Sequence, residues 1–314
     1  MTARWAMLLG ALLAACVPSA RAVPAAAPAP SPASAERAVV AGIVSTDTLA
    51  AWMARKPVRV LDVRSDLFTF LRGHLPNAQY LHTETLRATR EGIPGQLLEG
   101  DWYQSLFARL GLATEVPVVV YSAGESANID ATFAAFLLVA AGHRDVHVLD
   151  GGSAKWELEH RRLVREYATV PTPSWPADRP FAPAAVELGE FLGLRTRADL
   201  IVVDARPVEQ FRGASGSQMR LGHVPGAISH YWADDLVRDG FGLVWRPREA
   251  LRAAYVAQGI TPDREIIVYC NSTTEASHVW WALRVLLGYP RVSIYTGAWT
   301  EWAGRPDLPV ATGP

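Results

Sequence analysis

The chain has 314 residues, of which 50% are hydrophobic, and a formal net charge of -1. This length suits two domains of ordinary size, each with a core of its own. The sequence has no basic surplus for nucleic acid and no acidic tail. Its eight histidines are scattered, with no HExxH motif and no paired CxxC motif. The sequence therefore predicts no metal site and no cofactor.

Residues 1–22 have the features of an export signal. Arg4 provides a positive charge, and the apolar run at 5–13 is too short to span a bilayer. Leu13-Ala14-Ala15-Cys16 resembles a bacterial lipobox, which implies cleavage before Cys16 and lipidation of its thiol. The A-x-A site at 20–22 is the alternative and would release the chain. We favour the lipobox because it fits without a mismatch, and we predict an exported, periplasmic protein that is anchored to the membrane by lipid.

Composition divides the rest of the chain into two domains and two linkers. Residues 23–41 are rich in Pro, Ala and Ser and predict an extended tether. Residues 42–165 form the predicted first domain, 166–183 a proline-rich linker, and 184–312 the second domain. In the first domain the pattern predicts a helix at 46–54 capped by Ser45 or Thr46, further helices at 102–110 and 129–141, and strands at 58–63, 116–121 and 146–149.

The second domain repeats the first. Four segments recur in the same order and at nearly constant spacing, which indicates a duplicated unit. Strands that alternate with helices predict an α/β fold in which a mostly parallel sheet carries helices on both faces. The matching segments are 60–64 with 201–206, 73–78 with 222–227, 118–122 with 266–270, and 150–156 with 296–302.

Residues 265–288 contain the candidate reactive group. Ile266, Ile267, Val268 and Tyr269 predict a buried strand, Cys270 follows it, and 276–287 predict a buried helix that ends at Gly288. A cysteine between a strand end and a helix start meets free backbone N–H groups that favour an anion. We therefore expect a lowered thiol pKa and a site that also stabilises a persulfide anion. The alternative is a buried structural cysteine.

The motifs resemble those of tandem-domain sulfurtransferases of the rhodanese family, which includes thiosulfate and 3-mercaptopyruvate sulfurtransferases. The resemblance spans about residues 42–312 and implies two tandem rhodanese-like domains. It also implies an active cysteine in the second domain only, with Ser122 at the corresponding place in the first. The motifs are Asp204-Ala205-Arg206 with Phe211-Arg212-Gly213, then Gly222-His223-Val224-Pro225-Gly226-Ala227, the strand–Cys270–helix unit, and Gly297-Ala298-Trp299-Thr300-Glu301-Trp302.

The resemblance assigns a role to each site residue. Cys270 is the nucleophile: it takes a sulfane sulfur from a small anionic donor and passes it to a thiol or cyanide. Arg206 matches a donor-binding arginine, Arg212 lies near a second one, and Asp204 is expected to brace Arg206 or its loop. The alternative for Asp204 and Arg206 is a structural salt bridge. The loop whose N–H groups are expected to surround the sulfur comprises Asn271, Ser272, Thr273, Thr274, Glu275 and Ala276.

The cysteine loop departs from the family patterns CRKGVTA and CGSGVTA. It lacks the basic pair that would hold thiosulfate, and Thr273 replaces a glycine, which makes a positive φ costly there. Glu275 is expected to raise the pKa of Cys270 and to weaken anionic donors. A binding or redox-sensing module is therefore the alternative function. Phosphatase or arsenate reductase chemistry is more remote, because those loops need an arginine near their end. His223 is expected to stabilise a turn, and the tryptophans at 280, 281, 299 and 302 to pack in the core.

Overall fold

The computed structural model describes residues 39–112, 116–123, 127–170, 181–240 and 242–313. The predicted signal segment, Cys16 and most of the predicted tether lie outside these residues, as do positions 171–180 of the predicted linker. Across the five described ranges, every helix is too short or too polar to cross a bilayer.

The first half contains a parallel five-stranded sheet in the order β1-β7-β6-β2-β3. Its central strand β6, Val118–Tyr121, is fully buried. Val118 and Val120 enter one hydrophobic cluster, and Val119 and Tyr121 enter another on the opposite face. This alternation means that both faces are covered, as predicted. The elements are β1 Val40–Val44, α1 Thr46–Arg55, β2 Arg59–Arg64, α2 Leu67–Arg72, β3 Ala78–His82, β4 Arg87–Arg90, β5 Ile93–Leu97, α3 Gly100–Arg109, β6, α4 Ile129–Ala140, β7 Asp145–Leu149 and α5 Gly152–Leu158.

The second half builds the same sheet again, in the order β8-β14-β13-β9-β10 with all strands parallel. Element by element this order matches that of the first half, so the predicted duplication and the mostly parallel α/β fold are confirmed. The elements are β8 Ala185–Val186, α6 Leu188–Leu194, β9 Leu200–Asp204, α7 Val208–Phe211, β10 Ile228–Ser229, β11 Leu236–Asp239, β12 Gly242–Trp245, α8 Arg248–Ala257, β13 Glu265–Tyr269, α9 Thr274–Trp280, β14 Val292–Tyr295 and α10 Ala298–Gly304.

Several boundaries differ from the sequence predictions. β1 begins at Val40, inside the predicted tether, because it pairs with β7 along its whole length. The predicted helix at 276–287 begins earlier, at Thr274, and changes at Trp281–Leu286 to a π-helical turn. The predicted cap of α1 is confirmed, since the Ser45 side chain accepts a hydrogen bond from the N–H of Thr48.

Each half also carries an antiparallel hairpin that the sequence analysis missed, β4–β5 in the first and β11–β12 in the second. The halves share one hydrophobic cluster, in which α4 packs against α9 and the rings of Phe136 and Trp280 meet edge to face at 5.0 Å. The hairpin of each half reaches the other half. Arg87 in β4 binds residues after β13, and Trp245 in β12 donates its N–H to Asp150 after β7.

Candidate functional site

Cys270 lies directly after β13, at the carboxyl edge of the second sheet. β13 consists of β-branched and aromatic residues that form buried parallel pairs with β9 and β14. The Cys270 side chain is 0% exposed and belongs to the hydrophobic cluster that the two halves share. Its carbonyl oxygen accepts a hydrogen bond of 2.8 Å from the N–H of Trp299, at the start of α10. The backbone of Cys270 is therefore held between β13 and the start of α10.

The environment of the sulfur opposes ionisation. Burial raises the pKa of the Cys270 thiol well above its usual range, and the nearby, hydrogen-bonded Glu275 carboxylate raises it further. The backbone N–H groups of Ala276 and Ser272 face the sulfur and lower the pKa, but by less. The expectation of a lowered thiol pKa is therefore wrong for this closed loop, because desolvation outweighs the amide dipoles. The expected rise in the thiol pKa caused by Glu275 is confirmed, whereas the expected weakening of anionic donors stays a prediction.

The loop after Cys270 contains a strained residue. Thr273 has φ 79° and ψ −27°, the left-handed region that a β-branched residue rarely adopts. A residue held in this region costs on the order of 1–3 kcal/mol, so its surroundings must hold it there. Its side chain is buried, and its carbonyl oxygen accepts hydrogen bonds from the N–H and hydroxyl of Ser277. Thr273 therefore adopts the positive φ that the sequence analysis predicted to be energetically costly at this position.

Arg206 and Asp204 form a buried ion pair. Nε and Nη2 of Arg206 donate to Oδ1 and Oδ2 of Asp204 at 2.9 and 2.6 Å, and Nη2 also donates to the Gly222 carbonyl at 2.7 Å. The guanidinium lies 4.6 Å from the Trp299 ring centroid, and the residue is only 2% exposed. Asp204 thus braces Arg206, as expected. Arg206 therefore forms the structural salt bridge that was the alternative in the sequence analysis. It does not form an open donor site.

The first half supports this structural interpretation. Arg64 there donates to Asp62 through Nε and Nη2 at 2.5 and 2.6 Å, and both residues are buried. Ser122, which follows β6 as Cys270 follows β13, accepts a hydrogen bond of 2.7 Å from the N–H of Ala131. The same ion pair therefore forms beside Ser122, in a half that has no cysteine at this position, which favours a structural role.

The other predicted residues are distributed differently. Arg212 lies exposed at the end of α7, and within the described ranges no hydrogen bond joins its side chain to the cysteine loop. Nδ1 of His223 donates to the carbonyl of Phe211 at 2.8 Å while the two rings stack, so its role as a turn-stabilising residue is confirmed. The tryptophans are core residues, as expected: Trp280, Trp281, Trp299 and Trp302 are between 0% and 4% exposed.

Two residues that the sequence analysis missed contact the cysteine loop. Gln210 in α7 accepts a hydrogen bond of 2.9 Å from the Asn271 side chain. Arg87 in β4 donates from Nη1 to the Ser272 hydroxyl at 2.9 Å and from Nη2 to the Thr274 hydroxyl at 3.0 Å. The only available signal for Gln210 was its place within the Asp204–Gly213 motif region, and no signal in the sequence pointed to Arg87.

Comparison with known proteins identifies the family. The family model described as "Rhodanese-like domain" matches residues 45–159 and again residues 187–305. The chain belongs to the rhodanese family. The predicted pair of tandem rhodanese domains is therefore confirmed, and each matched segment contains four of the five strands of one sheet, with β1 and β8 lying just before the matches.

Relatives of this rhodanese resemble it over most of their length. "Sulfur carrier protein TtuD" of Thermus thermophilus is 32% identical over 287 residues, which cover 86% of this chain and 96% of the relative. "Thiosulfate sulfurtransferase" of Corynebacterium glutamicum is 30% identical over 281 residues, which cover 86% of this chain and 90% of the relative. Together with the two rhodanese domains, these names support sulfurtransferase activity.

A solved structure shares the fold. The anaerobic ergothioneine biosynthesis enzyme from Chlorobium limicola, in complex with trimethyl histidine, aligns with a TM-score of 0.74 at 23% identity. The alignment covers 87% of this chain and 70% of that enzyme. At this level of identity the likeness extends to the arrangement of helices and strands alone.

Proposed function

We propose that this rhodanese transfers a sulfane sulfur from a small anionic donor to a thiophilic acceptor through a persulfide on Cys270. The observation that carries the proposal is the position of Cys270 after β13, where the N–H groups of Ser272 and Ala276 face its sulfur. Oriented amides stabilise negative charge on sulfur, whether it is a thiolate or the outer atom of a persulfide. The proposed donors are of the thiosulfate or 3-mercaptopyruvate type.

The proposed reaction has two steps. The thiol first loses its proton, for which the adjacent Glu275 carboxylate is an available acceptor. The thiolate then attacks the transferable sulfur of the donor. With thiosulfate, the S–S bond breaks and sulfite leaves with the electron pair; with 3-mercaptopyruvate, the C–S bond breaks and the pyruvate enolate leaves with the electron pair. A thiolate or cyanide next attacks the outer sulfur of the persulfide, forms the new bond to sulfur and restores the Cys270 thiolate.

The proposal is tested by intact mass spectrometry after incubation with thiosulfate or 3-mercaptopyruvate. We expect the mass to rise by that of one sulfur atom, about 32 Da, on the wild type and not on Cys270→Ala, and to return to its starting value after cyanide is added. If the wild type gains no sulfur from any donor in the panel, the proposal is wrong.

A second candidate is a binding or redox-sensing module that keeps the rhodanese fold without turnover. It is favoured by the full burial of Cys270 and by its raised thiol pKa, since reactive thiols are ordinarily accessible and ionised. Steady-state transfer of sulfur by the wild type would exclude it. Export and a lipid anchor at Cys16 are proposed on the sequence alone.

A further inference from the structure

The cysteine loop of the second half is held by an arginine of the first. Arg87 opens β4 and spans to Ser272 and Thr274, residues 185 and 187 positions away along the chain. Its side chain is 13% exposed. The contact is therefore a partly buried link between the two halves and not an exposed surface pair.

The two bonds of Arg87 enclose the strained residue. Ser272 and Thr274 flank Thr273, whose φ of 79° the loop must maintain. A planar guanidinium can hold two oxygens at a fixed separation, which one flexible ammonium cannot do. Hydrogen bonds from a charged donor are stronger than neutral ones, and two of them can offset the strain expected at Thr273.

Acidic neighbours hold Arg87 in place and reduce its attraction for a further anion. Its Nε lies 3.4 Å from the Glu84 carboxylate, and the Asp130 carboxylate is close enough for Arg87 to lower its pKa, although burial raises that pKa overall. The guanidinium also lies 5.2 Å from the Phe133 ring centroid. These contacts are better explained by a residue that positions the loop than by a residue that binds a donor.

We propose that Arg87 is a positioning residue through which the cysteine-free half holds the loop that carries Cys270. This inference deepens the proposed function, because a fixed loop keeps the N–H groups of Ser272 and Ala276 directed at the sulfur. Arg87 acts through the two hydroxyls and touches no reacting atom.

The test measures the loop directly. Hydrogen exchange of peptides covering residues 270–276 is followed by mass spectrometry in the wild type, Arg87→Gln and the matched control Arg90→Gln. Arg90 lies on the same hairpin and also reaches the other half, through Glu187 at 3.4 Å, but it does not contact the loop. We expect exchange about tenfold faster in Arg87→Gln, equivalent to roughly 1.4 kcal/mol, and unchanged exchange in Arg90→Gln.

Two further measurements separate positioning from donor binding. With thiosulfate as donor, Arg87→Gln should lower kcat and leave KM unchanged. In a Ser272→Ala/Thr274→Val background, Arg87→Gln should have little additional effect, because the hydroxyls through which it acts are gone. Unchanged loop exchange in Arg87→Gln, an equal effect of Arg90→Gln, or a rise in KM alone would each overturn the proposal. Hydrogen exchange tests the role of Arg87 even if the wild type transfers no sulfur. The proposal for Arg87 and the proposal of sulfur transfer can therefore be refuted independently.

Discussion

Replacing Arg206 by Met tests whether this arginine is structural. The change removes the three side-chain bonds to Asp204, at 2.6, 2.9 and 3.2 Å, and the bond to the Gly222 carbonyl at 2.7 Å. It leaves the Asp204 carboxylate at 0% exposure without its cation. Removing one partner of a buried ion pair typically costs about 3–5 kcal/mol, because the remaining charge stays desolvated. We expect the free energy of unfolding, measured by urea denaturation at pH 7, to fall by that amount.

Arg64→Met is the matched control for this measurement. Arg64 forms the same pair with Asp62 at 2.5 and 2.6 Å, in the half that lacks the cysteine. A structural role predicts that both variants lose stability to a similar extent and that neither raises the donor KM once its folded fraction is taken into account. The reasoning is refuted if Arg206→Met raises the donor KM while its free energy of unfolding stays at the wild-type value.

Two other predictions concern ionisable groups. Glu275→Gln removes a carboxylate that raises the pKa of the Cys270 thiol, so the pH profile of Cys270 alkylation by iodoacetamide should move to lower pH; an unmoved profile would contradict this. His278 is buried, and burial lowers its pKa from 6.5 to about 4. Below pH 6.5 the unfolded chain therefore binds the proton more readily, and stability should fall by about 3 kcal/mol as the pH drops to 4. His278→Phe should remove that part of the acid sensitivity in urea titrations, and an unchanged pH dependence would contradict it.

The aromatic and charged groups packed against His278 also affect this prediction. Its ring stacks on Trp245 at 4.0 Å, a contact that phenylalanine can keep. Burial has the largest effect on the pKa of His278 and lowers it. Asp235 raises this pKa, and His230 lowers it further. The pKa of His230 is itself raised, although burial opposes this, because its hydrogen bond to Asp235 favours the charged ring; this residue contributes stability at low pH and works against the effect of His278.

The sequence predicted the framework because local patterns determine it. Short β-branched runs such as Val118–Tyr121 mark strands that are buried on both faces, and the recurrence of such runs in order indicated the duplication. Cys270 was located correctly at a strand end for the same reason. Element boundaries shifted where pairing partners determined them, as at β1, whose extent follows β7.

The state of the site was less predictable, because it depends on contacts between distant residues. The lowered thiol pKa was inferred from the backbone position of Cys270 alone, whereas the depth of its burial follows from the packing of both halves around it. Arg206 in a strand-end motif suits either a donor site or a salt bridge, and only the bonds to Asp204 and Gly222 distinguish the two. Arg87 was missed because its partners lie 185 and 187 residues away and its hairpin is short.

The paired hairpins connect the half without a nucleophile to the half that carries Cys270. In one direction Trp245 of β12 donates to Asp150 at 3.0 Å, and in the other Arg87 of β4 donates to Ser272 and Thr274. Each half thus contacts the other through its hairpin, but the two contacts involve different loops, and only that of Arg87 reaches the loop that holds Cys270. Ser122, at the position in the first half that corresponds to Cys270, takes no part in the contacts that Arg87 makes with the second half. Because Arg87 of the half without a nucleophile contacts the cysteine loop, substitutions in the β4–β5 hairpin should affect the chemistry of Cys270 more than equally exposed substitutions elsewhere in the first half.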